Sequence, residues 1–121
     1  MAMTSRRQLK RRHLIYYLRV FDDKTNRLLG HLVDITTEGM MVMSEELLDI
    51  HETYTCRMML PEPIEGKAEV VFDATALWSR PDVNPDFYVT GFHLKPLPPK
   101  ITTIIEELIE DAGFEDGEFE G

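Results

Sequence analysis

Short segments rich in aromatic and β-branched residues, each followed by turn-forming residues, restrict this chain to a small antiparallel β architecture. Val, Ile, Thr, Tyr, Phe and Trp fit the pleated surface of a strand, whereas Gly, Pro, Asn and Asp favour the turns between strands. The two kinds of segment alternate along most of the chain. We predict six strands, at residues 13–21, 28–35, 40–43, 53–60, 68–78 and 87–94.

Three of the connections carry signals of their own. Pro61 and Pro63 predict that the fourth strand ends at residue 60, because proline has no amide hydrogen for the ladder. Ser44 is a good N-cap, so residues 44–48 are predicted to form one helical turn. The segment 79–86 contains two prolines and is predicted to be a loop.

The spacing of the apolar residues changes after residue 100. They then recur three and four positions apart, as on one face of a helix, and Gly113 is suited to ending that helix. Six strands followed by one amphipathic helix predict a mainly β fold, a small six-stranded antiparallel β-barrel with a C-terminal α-helix packed on it. The apolar stripe consists of Ile101, Ile104, Ile105, Leu108, Ile109 and Ala112.

Charge divides the chain into three parts. The first 20 of the 121 residues contain six Lys or Arg and no acid, whereas the remainder contains seven Lys or Arg and 22 Asp or Glu. We therefore predict a flexible basic arm at residues 1–12, one folded domain at residues 13–112 and an acidic tail at residues 113–121. A protein that coats a nucleic acid polymer would normally have a basic body. The predicted partner of the arm is thus a smaller anion.

The cysteine count and the hydropathy predict a cytoplasmic protein without a membrane partner. Cys56 is the single cysteine and cannot form an internal disulfide, and its apolar neighbours predict a buried thiol in a reducing compartment. No segment approaches the roughly 18 apolar residues that cross a bilayer. The apolar run after the basic N-terminus is also shorter than that of a secretory signal.

Residues that ordinarily carry out catalysis or bind metals are scattered along the sequence. His13, His31, His51 and His93 are far apart, and no Cys/His pair has zinc-site spacing. Cys56 lies inside a predicted strand, where no base is expected to activate it. We predict that the chain is not an enzyme and holds no metal or cofactor.

Two short motifs stand out in combination. Arg7 and Arg11 form an R-x-x-x-R pair within the basic arm, and residues 34–39 read D-x-T-x-x-G at the end of the predicted second strand. Alone, such an arginine pair is ordinarily solvated charge, and such a turn is an ordinary turn in which the glycine adopts a positive φ. Their order, with a strand between them and further strands after them, gives them more weight.

In this combination the chain resembles the PilZ domain family. That family is marked by R-x-x-x-R on an N-terminal arm and by a [D/N]-x-S-x-x-G turn. The resemblance extends from Arg6 to about Asp111 and includes the strand that ends in Trp78 and the last strand with Gly91 at its centre. It implies a six-stranded barrel with a C-terminal helix and a bacterial receptor for the second messenger cyclic di-GMP. Thr36 departs from the pattern, since it stands at the usual serine position.

The resemblance implies a role for each motif residue. Arg7 and Arg11 would grip the guanine O6 and N7 atoms or the phosphates through their planar guanidinium groups, with Arg6 and Arg12 as further contacts. Asp34 would accept hydrogen bonds from the guanine N–H edge, Thr36 would bind a phosphate or base, and Gly39 would permit close approach. We expect the arm to become ordered on binding, and this change to pass the signal to an unidentified protein effector.

Other interpretations remain open at the level of sequence. The chain is alternatively a PilZ-fold interaction module that binds no nucleotide, and self-association is a further mode of output. A small barrel with a basic arm also suits RNA or single-stranded DNA, but the acidic body argues against that function. Trp78 and the tyrosines are predicted to belong to the barrel core or rim rather than to a base-stacking surface, and Arg19 and Arg27 to be surface charges.

Overall fold

A computed structural model describes residues 18–112, which form a closed antiparallel barrel of six strands followed by one helix. The predicted mainly β fold class is confirmed. The predicted arm and tail, together with residues 13–17 of the predicted first strand, lie outside the described residues. The elements are β1 Leu18–Asp22, β2 Arg27–Ile35, β3 Gly39–Ser44, β4 Thr53–Ile64, β5 Lys67–Pro81, β6 Tyr88–Leu94 and α1 Pro99–Ala112.

The strands follow the order β1-β2-β3-β6-β5-β4 around the barrel, and β4 pairs with β1 to close it. Every pairing is antiparallel. Alternate residues along the strands point inward and form one continuous apolar core, in which Val20, Leu32, Val42 and Met58 are fully buried. The alternating pattern of the sequence thus becomes the two faces of the barrel wall.

Helix α1 lies against β4 and covers part of the core. It begins at Pro99, where the fixed φ of proline and its missing amide hydrogen suit the first helical turn. Ile104, Ile105 and Leu108 have no exposed surface, so these members of the predicted stripe lie on the buried face of the helix. Within residues 18–112, the structure contains no helix that is both long and apolar enough to cross a membrane.

The prediction that prolines end the fourth strand is wrong. β4 runs through Pro61 and Pro63 to Ile64. The register with β5 is interrupted between Met59 and Ile64. Since ladder pairing is interrupted there, the missing amide hydrogens of the two prolines cost little.

The predicted helical turn at residues 44–48 is also absent. Ser44 ends β3 and is buried, and its hydroxyl donates to the carbonyl oxygen of Glu46 at 2.6 Å instead of capping free amides. The predicted loop at 79–86 is shorter than expected, because β5 continues through Pro81. The amide of Asp82 then donates to the carbonyl oxygen of Phe87 at 2.9 Å, which closes the connection to β6.

Candidate functional site

The D-x-T-x-x-G motif forms the turn between β2 and β3, and the Thr36 hydroxyl holds that turn together. The amides of Glu38 and Gly39 both donate to Thr36 Oγ1 at 3.1 Å, and the Thr36 amide donates to the Gly39 carbonyl oxygen at 2.8 Å. Thr36 Oγ1 itself lies 3.4 Å from that carbonyl oxygen. The hydroxyl is therefore largely committed to the backbone of the turn.

Gly39 serves this turn differently from the prediction. It is not among the described residues with positive φ, so the expected left-handed conformation is wrong. Gly39 already belongs to β3, where it pairs with His93, and a Cβ atom added to it would lie 3.0 Å from the carbonyl oxygen of Phe92. Glycine suits this position because two backbones approach closely, not because of its φ angle.

One row of residues crosses four strands on the outer face of the barrel, beginning at the turn. Asp34 of β2 pairs with Met41 of β3, Met41 pairs with Gly91 of β6, and Gly91 pairs with Trp78 of β5. The neighbouring row of Ile35, Met40, Phe92 and Ala76 belongs to the core. Because successive residues of a strand point to opposite faces, the row that contains Asp34 and Trp78 faces outward.

Trp78 reaches this row through a break in the pattern of β5. Ala76 pairs with Phe92 and Trp78 with the next residue of β6, Gly91, so Leu77 is an extra residue. This bulge turns the half-buried indole outward, away from the core. Its Cε2, Cζ2 and Nε1 atoms occupy the space that a side chain at position 91 would need. Sequence reasoning did not assign Trp78 to the site, although the glycine at the centre of β6 is the signal that could have placed it there.

The turn and the outer row line a shallow depression of about 210 Å³. Asp34 is one of its lining residues and accepts a hydrogen bond from the Ile35 amide at 2.9 Å. Asp34 is the charged residue of the lining, which contains no Lys or Arg from residues 18–112. The other outward lining residues are Thr36, Gly39, Met41, Leu77, Trp78 and Gly91.

The structure therefore brings together the predicted site residues Asp34, Thr36 and Gly39. The predicted arm contacts Arg6, Arg7, Arg11 and Arg12 lie outside the described residues. Leu18, the first described residue, pairs with Leu32, so the chain enters the barrel at the end that carries the β2–β3 turn.

Two other arginines have well-defined surroundings. Arg27 forms an exposed ion pair with Glu46 at 3.2 Å and lines a separate cavity of about 420 Å³ between β2 and the end of β3. That cavity contains none of the predicted ligand-binding residues. The guanidinium of Arg19 lies 5.8 Å from the ring centre of Phe21. Arg27 is thus a surface charge away from the candidate site.

The described residues include no cluster typical of a metal site, and the environment of the cysteine does not activate it. Within residues 18–112, no group of three or more His, Cys, Asp or Glu could hold a metal ion. Cys56 is buried, as predicted. Burial raises the pKa of its thiol to about 12, with smaller contributions from the carboxylates of Asp22 and Asp73. A thiol in this environment stays protonated at neutral pH and is a poor nucleophile.

Comparison with known proteins agrees with this geometry. The family model described as PilZ domain matches residues 5–111. Among solved structures, the chain is similar to the Bacillus subtilis inhibitor of motility (MotI/DgrA), with 13% sequence identity and a TM-score of 0.55. That alignment covers 88% of this chain and 51% of the MotI/DgrA chain, so this chain spans about half the length of that protein. No curated protein matches the sequence. From the matched family model, which includes both motifs and the whole described barrel, we conclude that the chain belongs to the PilZ domain family.

Proposed function

We propose that this protein is a cyclic di-GMP receptor that binds its ligand between the basic arm and the depression at the β2–β3 turn. PilZ domains are receptor and adaptor modules for this second messenger and are generally not enzymes. The main support for the proposal is the outer row from Asp34 to Trp78, because it joins the family's turn motif to the residues that line the depression.

The size of the depression explains why the arm is needed. Pockets that enclose a small molecule have volumes of about 300–1,000 Å³, whereas this one has about 210 Å³. The barrel can therefore contact one side of a cyclic dinucleotide and leaves the other side open. A second wall has to come from elsewhere in the chain.

The arm has the reach and the chemistry to supply that wall. Arg11 precedes Leu18 by seven residues, which span up to about 23 Å when extended. A guanidinium group can grip the O6 and N7 edge of guanine or a phosphate with two parallel hydrogen bonds. Arg7 and Arg11, with Arg6 and Arg12 as further contacts, would hold the dianionic ligand against the turn.

Binding has to offset the ordering of the arm. Folding a segment on binding costs about 2–5 kcal/mol, and micromolar affinity corresponds to about −8.2 kcal/mol net. One arginine contact cannot supply this, so several contacts act together. The ordered arm would then be the signal that an unidentified protein effector recognises.

Isothermal titration of cyclic di-GMP into the wild-type chain and the variants Arg7→Ala and Arg11→Ala tests the proposal. Each bidentate contact is worth about 1–3 kcal/mol, so we expect each variant to weaken binding roughly 5- to 150-fold. Arg27→Ala is the matched control, since it removes the same charge from the exposed pair with Glu46. Equal affinity in the wild type and in both arm variants would contradict the clamp.

A PilZ-fold module that recognises a protein without any nucleotide is the alternative function. The engagement of the Thr36 hydroxyl within its own turn favours it, since that hydroxyl has little capacity left for a ligand. A thermal-unfolding series with increasing cyclic di-GMP distinguishes the two functions. A ligand that binds only the folded state raises the transition temperature, and an unchanged transition at high ligand concentration would favour the alternative.

A further inference from the structure

Arg80 lies beside the candidate site in an arrangement that the family motifs do not describe. β5 continues without a further bulge from Trp78 to Arg80. Trp78 pairs with Gly91 of β6, and Arg80 pairs with Val89. The two side chains are therefore on the same outer face of the barrel. The guanidinium carbon of Arg80 lies 4.5 Å from the ring centre of Trp78, within cation–π distance.

The charge environment distinguishes this arginine from Arg27 and Arg57. Residues 18–112 contain 18 Asp or Glu and eight Lys or Arg. Arg27 and Arg57 each pair with carboxylates. Arg80 forms no ion pair with any residue of the described segment, and its guanidinium group packs against the indole of Trp78. It is an exposed cation held in place by an aromatic ring in a body with an excess of acids.

The depression next to it has no positively charged side chain among its lining residues from the described range 18–112. Its described lining includes the Asp34 carboxylate and no Lys or Arg, whereas the proposed ligand carries two phosphate charges. A phosphate bound next to this lining would be stabilised by a nearby cation. Trp78 lines the depression and contacts Arg80, so Arg80 places a positive charge beside the site.

A stacked guanidinium can bind a phosphate without leaving the ring. Its five N–H donors lie in the guanidinium plane, so a cation that packs over an indole keeps these donors free at its edge. Arginine recognises phosphate through two such parallel hydrogen bonds. The contact with Trp78 thus restricts the side chain while leaving its hydrogen-bonding groups available.

We infer that Arg80 is a ligand-binding residue, which uses Trp78 as a support and contacts a phosphate of the cyclic dinucleotide from the barrel side. This inference rests on the proposed cyclic di-GMP function. It assigns the ligand a cation from β5 in addition to those of the arm, so that the dianion is held from both sides. Trp78 is then the positioning residue for Arg80.

Titration of cyclic di-GMP into the 121-residue wild type, Arg80→Gln, Arg80→Lys and the control Arg27→Gln tests this inference. A hydrogen bond to a charged group is worth enough to predict a loss of about 10- to 100-fold in affinity for Arg80→Gln. Arg80→Lys keeps the charge and should recover part of that loss. Arg27→Gln should bind like the wild type.

The outcomes separate this inference from the function on which it rests. A wild type that does not bind cyclic di-GMP overturns the proposed function, and the role of Arg80 with it. A wild type that binds, together with an Arg80→Gln variant within twofold of its affinity, overturns the inference alone. Equal losses in Arg80→Gln and Arg80→Lys would support a bidentate guanidinium contact, because lysine keeps the charge but cannot form two parallel hydrogen bonds.

Discussion

Thr36 illustrates how one side chain can hold the turn of a motif together. Its oxygen accepts hydrogen bonds from two amides of the β2–β3 turn, both at 3.1 Å. A serine hydroxyl could accept the same bonds, so the threonine at this position preserves the turn. The additional methyl group is what distinguishes this chain from the usual family pattern.

We expect Thr36→Ala to destabilise the protein by about 1–3 kcal/mol, because two hydrogen bonds are lost and each contributes roughly 0.5–1.5 kcal/mol. Thr36→Ser should stay close to the wild type, since it keeps the hydroxyl. Urea unfolding of the three proteins measures both effects. Equal midpoints for Thr36→Ala and the wild type would mean that the hydroxyl does not hold the turn.

At Gly91, a single added side-chain atom would disturb the packing of Trp78. A Cβ atom there would overlap the indole of Trp78. We expect Gly91→Ala to displace the ring, to cost about 1–3 kcal/mol through overpacking, and to shift tryptophan emission to longer wavelength. Trp78 is the one tryptophan of the chain, so the fluorescence signal is unambiguous.

Gly66→Ala is the matched control for this spectroscopic test. Gly66 has a φ of +78°, and nothing lies within 4 Å of an added Cβ atom. Its replacement should therefore destabilise the protein through backbone strain of about 1–2 kcal/mol while leaving the emission maximum in place. A red shift in both variants, or in neither, would contradict the proposed packing of Trp78 on Gly91.

At the scale of elements, α1 closes the apolar core beside β4. Its buried side chains should account for most of what the helix contributes to the free energy of unfolding. Ile105 has no exposed surface. Ile105→Ala should cost about 2–5 kcal/mol, which combines lost burial with a cavity. The exposed neighbour Glu106 provides the control, since Glu106→Ala should stay within about 0.5 kcal/mol of the wild type. Chemical denaturation measures both, and a small loss for Ile105→Ala would show that α1 packs loosely.

The sequence predicted elements that have a regular period and missed those that depend on a register shift. Strong β propensity and a helical stripe were sufficient for the strands and for α1. The bulge at Leu77 was not predictable in this way, because Val70, Phe72, Ala74 and Ala76 alternate inward and the same period would place Trp78 in the core. The outward position of Trp78 depends on its pairing partner 13 residues further along the chain.

The candidate site was also only partly predictable from the sequence. The motif residues Asp34, Thr36 and Gly39 are adjacent in sequence and could be identified from it. The part of the lining that comes from β5 and β6 could not be identified in this way, because only the strand order places β6 next to β3 and β5 next to β6. The predicted end of β4 at residue 60 was wrong for a related reason. Pro61 and Pro63 fit within the strand because its register with β5 is interrupted there, and a register depends on two strands rather than one.

At the scale of the whole molecule, Cys56 couples global stability to alkaline pH. Burial raises the pKa of its thiol from 9.0 to about 12, so the folded state retains a proton that the unfolded state releases above pH 9. This contribution to stability is complete below pH 9 and is lost as the pH rises towards 12. The expected slope reaches about 1.4 kcal/mol per pH unit.

Urea unfolding of the wild type and Cys56→Ala at pH 8, 9.5 and 10.5 isolates this effect. Other groups that titrate in this range affect both proteins equally, so the difference between them reports the thiol. We expect the wild type to lose stability more steeply with pH than the variant. Parallel pH profiles would show that the thiol is not protected from ionisation in the folded state.

Closure of the barrel limits how a protein partner could bind to its wall. Each of the six strands has a neighbour on both sides, so residues 18–112 contain no edge strand that is open along its whole length. The unpaired backbone is confined to short segments, such as residues 60–63 of β4 and the β4-facing side of residues 78–81 of β5. A partner that adds a strand, as many peptide ligands do on open sheets, would find little edge to pair with. Binding to the folded body is therefore expected to depend mainly on side chains, turns and α1. The same closure protects the wall against edge-to-edge aggregation when the protein is abundant.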